Sequence, residues 1–207
     1  MSKPTQQRIG AFVAAISVVG AILSPALVSA TSNSANTTIS ASVQAVISIA
    51  TSSTVSISLT PTGAGSLSNG SDAITVSTND ALGYNLTVAD SDATTTLANG
   101  GSNFTASSGT KTTPITLANN TWGVAVPTGT TGIGTNGFDA SYASETNLAS
   151  STSKWAGMPA TGSPMLLKST TSTATGDSTT VWYAVKADTT LPAGTYTDTV
   201  TYTATAN

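Results

Sequence analysis

The sequence predicts an all-β chain, a single β-sandwich of the Ig-like or Greek-key type behind an N-terminal signal helix, on three observations. Charged residues are only 7% of the chain, against roughly a quarter in ordinary soluble domains, while Ser and Thr supply roughly a third. Thr and Val are near isosteres that suit a pleated surface, so alternating them builds strands with a wet and a dry side. Helix formers such as Glu, Lys, Gln and Arg are scarce after residue 30, and no later stretch holds an apolar period of 3.6. Finally, the chain closes on GTYTDTVTYTATAN, with Thr at almost every second position.

The elements follow in order. Residues 1–30 have a cationic start (Lys3, Arg8), an apolar run, a helix-breaking Pro25 and the tripeptide Val28-Ser29-Ala30. That is the layout of a signal peptide cleaved after Ala30. The same stretch is long enough to span a bilayer as an uncleaved anchor, and Pro25 with the small residues after it favours cleavage. Residues 31–38 are small and polar and read as a flexible lead-in. The remainder, residues 39–207, is expected to form the sandwich, which is long enough to bury a sizeable core.

In residues 39–49 the side chains Ile39, Ala41, Val43, Ala45, Ile47 and Ile49 fall on one face, which predicts a first strand. Val55, Ile57 and Leu59 predict a second, ended by Pro61 and a Gly-rich turn. Ile74 and Val76 open a third that breaks at Asn79-Asp80, and Tyr84, Leu86 and Val88 form a fourth. Weaker strands are expected near Phe104, over residues 115–117 and over residues 122–126. Residues 179–187 and 195–204 form the last two, joined by DTTLPAG with its turn-forming Pro and Gly. Between the strand expected at 122–126 and the last two, residues 127–164 form a Gly-, Ser- and Thr-rich connection longer than most loops. Its large side chains Phe138, Tyr142, Trp155 and Met158 either pin the connection to the sandwich or make an exposed aromatic loop that binds a glycan or partner protein.

In the terminal strand, alternation places Tyr196, Val200 and Tyr202 on the buried face and Thr197, Thr199, Thr201 and Thr203 on the wet one. Asp198 falls with the buried set, and is expected near the sheet edge or hydrogen-bonded, with Lys186 as a partner.

Two stretches carry a family likeness. ITVSTNDALGYNLTV and PAGTYTDTVTYTAT together resemble the paired motifs of WxL-domain surface proteins of Gram-positive bacteria. Gly83, Tyr84 and Leu86 match the first motif, with Tyr84 where the family has Trp. Gly194, Thr195 and Tyr196 lead into the second, with Tyr202 in the place of its Trp and Ala204 in that of its Leu. The resemblance implies a secreted, extracellular protein held non-covalently on the cell wall, with peptidoglycan, another wall glycan or surface proteins as partners. Read physically, the same tyrosines are packing residues of a core or sheet edge.

The net charge of −3 and the scattered Lys111, Lys154, Lys168 and Lys186 leave no basic patch, which argues against nucleic acid. There is no Cys or His, and Glu145 is the only glutamate, so the usual nucleophile and general base are missing and a non-enzymatic, cofactor-free protein is expected. Ser151-Thr152-Ser153-Lys154 matches S-x-x-K without its companion motifs. Asp90-Ser91-Asp92 lacks the glycine-containing loop of an EF-hand, and no metal is expected there. LPAGT at residues 191–195 has the wrong order for a sortase signal and reads as a turn. The N-x-S/T frames at Asn36, Asn69, Asn85, Asn103 and Asn119 follow from composition, and Lys168 or Lys186 could enter a covalent cross-link. Two functions stand against each other. One is a wall-associated surface protein for adhesion or coating. The other is a pilin-like subunit, self-associating by donating residues 39–49 to a neighbour's sheet edge.

Overall fold

A computed structural model describes residues 31–126 and 152–207. The leader and the side chains of Phe138 and Tyr142 lie outside the described residues. Two units separate, Met1–Ala41 and Ser42–Asn207. In the first, residues 31–41 are exposed and carry no regular secondary structure. The second holds all the strands.

The described residues are all-β, with no helix. The largest sheet has six strands in the order β1 (Ile47–Ala50), β2 (Ser66–Thr78), β10 (Ala174–Ala187), β7 (Thr121–Ala125), β5 (Ser102–Ala106) and β4 (Thr96–Asn99). A three-stranded sheet is ordered β11 (Val200–Ala206), β3 (Tyr84–Asp90) and β9 (Met165–Ser169), and β6 (Ile115–Thr116) pairs with β8 (Lys154–Trp155). Strand pairs are antiparallel except β5 with β7. A bridge from Thr197 to Ala98 ties the run before β11 to the edge of the large sheet.

Apolar alternation drives both large sheets into one cluster. Ile74 and Val76 of β2, Val181 and Val185 of β10 and Val124 of β7 meet Tyr84, Leu86 and Val88 of β3. Burying each such side chain contributes about 1.5–3 kcal/mol. A lysine is buried with them. Lys168 is 2% exposed, and its Nζ lies 2.6 Å from Asp177 Oδ1, while Tyr84 donates its hydroxyl to Asp177 Oδ2 at 2.8 Å.

Several expectations need correction. The strand expected over residues 39–49 exists only at Ile47–Ala50, and Ile39 and Val43 are 90% and 84% exposed. The reason is pairing: only Ile47–Ala50 reaches β2, where Asn79 stops the ladder. Asn79 Nδ2 donates to the Gln44 carbonyl at 2.9 Å and Asn79 Oδ1 accepts from Val46 N at 2.7 Å. The second expected strand, residues 55–59, alternates half-buried Val55, Ile57 and Leu59 with exposed neighbours, but it joins no sheet.

The third strand begins eight residues earlier than Ile74, at Ser66, because the polar SLSNGSD run is held by β10 from Ala187↔Ser66 onward. Gly70 there gives close access: a Cβ would stand 2.9 Å from Val55 and 3.2 Å from Ile57. Strands β4, β8 and β9 were not expected from the alternation. The terminal strand starts at Val200 rather than Thr195, since residues before it turn to meet Ala98.

Candidate binding groove

Gly83 and Tyr84 start β3 at a close crossing. Gly83 has φ 85°, and a Cβ would lie 2.5 Å from the Thr170 backbone, so only glycine fits. The crossing is stitched by Tyr84 N to Thr170 Oγ1 at 3.0 Å and Thr170 N to the Tyr84 carbonyl at 2.9 Å. The two sequence motifs become neighbours: β3 pairs with β11, Val88 opposite Tyr202 and Leu86 opposite Ala204. Tyr84 and Leu86 are buried in the core. Burial, with the hydrogen bond to Asp177, raises the Tyr84 hydroxyl far above its ordinary range.

Tyr196 and Tyr202 behave differently. They are half-buried, as is Val200, whereas Thr197, Thr199, Thr201 and Thr203 are exposed. The register expected for the terminal run is the observed one, but its inner face is incompletely covered. A groove of about 1030 Å³ explains this. One wall is Tyr196, Val200 and Tyr202, the other is Val55, Ile57 and Leu59, and the floor includes Trp122, Tyr183 and Phe104.

The floor is rigid. Tyr183 stacks on Trp122 with centroids 6.4 Å apart, and Tyr196 meets the Phe104 ring edge-on at 5.0 Å. The Tyr183 and Tyr202 hydroxyls hydrogen-bond to each other across the groove, and burial raises both of them far above the usual tyrosine range. The first wall is anchored at one end by Asp72, which is buried and accepts from Ser52 N at 2.9 Å, Ser52 Oγ at 2.6 Å and the Thr51 hydroxyl. Beyond that anchor, residues 54–59 make no backbone hydrogen bond among the described residues. On the opposite side β11 is the edge of its sheet. Residues 54–59 and the outer edge of β11 therefore carry backbone N–H and C=O groups with no backbone partner among the described residues.

Asp198 lies at the upper end of the second wall. It accepts from Thr199 N at 2.7 Å rather than from Lys186, whose Nζ reaches the Leu117 carbonyl at 3.2 Å. Burial first, then the nearby carboxyl of Asp90, pushes Asp198 up to about 6. Asp90 Oδ2 and Asp198 Oδ2 are both buried without a hydrogen-bond partner. A proton on Asp198 relieves that arrangement. Among the described residues no group of three or more His, Cys, Asp or Glu side chains is placed to hold a metal ion.

Trp155 and Met158 do not form an exposed aromatic loop. Trp155 is 0% exposed and Met158 is 4% exposed, both packed under the sheets. Gly123 opens the space for Trp155, since a Cβ there would stand 2.8 Å from the tryptophan Cβ. The groove residues Tyr183 and Asp72 carried no functional signal in the sequence; nor did Gly70, which lies under Val55 and Ile57, although a glycine within a strand is the trace of a second segment crossing close by. No family model, curated protein or solved structure matches the chain.

Proposed function

We propose that the chain is an exported, non-enzymatic protein of the bacterial cell surface, a single β-sandwich serving in adhesion or surface coating and held on the wall without a covalent link. The observation that carries this reading is the exposed threonine face of the terminal strand, a soluble exterior made from hydroxyls in place of charge. The leader with its Val28-Ser29-Ala30 ending supports export. The resemblance to WxL domains supports wall association, with Tyr84 and Tyr202 at the signature tryptophan positions.

Fractionation of producing cells, with mass spectrometry of the recovered amino terminus, tests it. The expected result is a terminus at Thr31 in protein released from the wall by salt or detergent and able to rebind purified wall. An intact Met1 or Ser2 terminus, or protein confined to the cytosol, would overturn the reading.

A further inference from the structure

Three features of the chain point to one occupant for the groove. Residues 37–43 carry Ile39, Ala41 and Val43 at every second position, and Ile39 and Val43 are almost fully exposed. An apolar alternation without a sheet is an unpaired strand. Across the groove, Val55, Ile57 and Leu59 on one wall and Tyr196, Val200 and Tyr202 on the other are half-buried apolar side chains; residues 55–59 join no sheet and β11 is an edge strand. An apolar slot between unpaired edges lacks a strand.

The electrostatics also agree. No charged residue occurs from Thr31 to Ser71, so nothing in the donor segment needs to shed an ion's hydration on entering an apolar site. Residues 44 and 46 are held by Asn79, and from Ile47 the chain pairs with β2.

We infer that residues 37–43 of a second copy of this chain insert into the groove as an added strand, Ile39, Ala41 and Val43 covering its apolar floor. The reading rests on the surface role proposed above and specifies how the molecules assemble there. Each copy then offers an arm at one end of its chain and a groove in its body. Such a head-to-tail contact does not close on itself unless its rotation happens to return, so the product is a filament. If the leader is cleaved after Ala30, the arm is the amino terminus of the mature chain, and export releases it for exchange.

The chain has no cysteine, which makes placed thiols informative. Val43→Cys and Ile57→Cys proteins are purified separately, mixed, and oxidised mildly. The expected product is a disulfide-linked heterodimer, formed faster and in higher yield than the homodimer of either cysteine variant oxidised alone. In sedimentation velocity, Ile39→Asp/Val43→Asp should weaken self-association at least tenfold, with an unchanged far-ultraviolet spectrum because both side chains lie outside the core. Added peptide of residues 36–47 should bind the double variant. Chains that stay monomeric at all concentrations, association unaffected by the two aspartates, or a Val43→Cys/Ile57→Cys chain that closes only within itself would each overturn the inference. Monomeric protein recovered from the wall would leave the surface role standing, whereas protein that assembles but stays in the cytosol would do the reverse.

Discussion

Removing Asp177 should cost far more than removing Lys168, although the two form one ion pair. The asymmetry lies in their exposure: the Lys168 side chain is 3% exposed and that of Asp177 is 27%. Asp177→Ala strands an ammonium group in the core, at about 3–5 kcal/mol. It also takes the acceptor from the buried Tyr84 hydroxyl, adding about 1 kcal/mol. Lys168→Met keeps an apolar stem of similar length and leaves Asp177 with Tyr84 and water, at about 1–2 kcal/mol. With a urea slope of about 2 kcal/mol/M, the midpoints of the two variants should differ by about 1.5 M. Unfolding followed by the fluorescence of buried Trp122 and Trp155 measures it. Adding Lys168→Met to Asp177→Ala should then recover about 2 kcal/mol, because the stranded charge is gone. If Lys168→Met proved as damaging as Asp177→Ala, or the double variant were the least stable of the three, the burial argument would be wrong.

Three further outcomes are expected. Gly83→Ala forces a Cβ against the Thr170 backbone at positive φ and should destabilise by about 2–4 kcal/mol, seen as a drop in melting temperature. Asp198, raised to about 6, binds its proton more tightly folded than unfolded, so its contribution is fullest below pH 4 and lost as pH rises through 6; discounted for its partial exposure the loss is about 1 kcal/mol, and Asp198→Asn should flatten that part of a stability profile. Asp188, held down to about 2 chiefly by Thr190, has the opposite sign: its contribution is present above pH 4 and is lost only as pH falls from 4 toward 2, outside that window. Val200→Asp, opposite buried Asp90 in the ladder, should cost about 2 kcal/mol or more, while Thr199→Asp on the wet face should stay within about 0.5 kcal/mol; equal effects would reverse the assigned faces.

The terminal strand shows what alternation can reveal. Its two faces were legible because a period of two assigns every side chain to a side, and that assignment depends only on the strand's own residues. Residues 39–49 show the complement. Their alternation is just as regular, yet most of them have no strand beside them, and pairing depends on a distant edge that local pattern does not encode. The polar half of β2 failed for the same reason in reverse: Asn69-Gly70 looks like a turn, but β10 supplies a continuous partner. In β9, Lys168 interrupts the apolar run, and only Asp177, on the next strand, makes its burial tolerable. The groove was the least legible feature. Its walls come from residues 51–59 and 191–202, and the gap between them is a property of neither segment alone.

The threonine-clad exterior also governs the rate at which such molecules meet. Fifteen charged residues, six basic and nine acidic, generate little long-range field. Encounter between copies is then unsteered, in the range of about 10⁵–10⁶ M⁻¹s⁻¹ set by diffusion and orientation, and it gains nothing at low ionic strength. The same surface has little to lose at high salt, where screening slows the association of charged partners. Collision frequency is thereby set by local concentration rather than by the medium, and molecules gathered at one boundary would associate at nearly the same pace in fresh water and in brine.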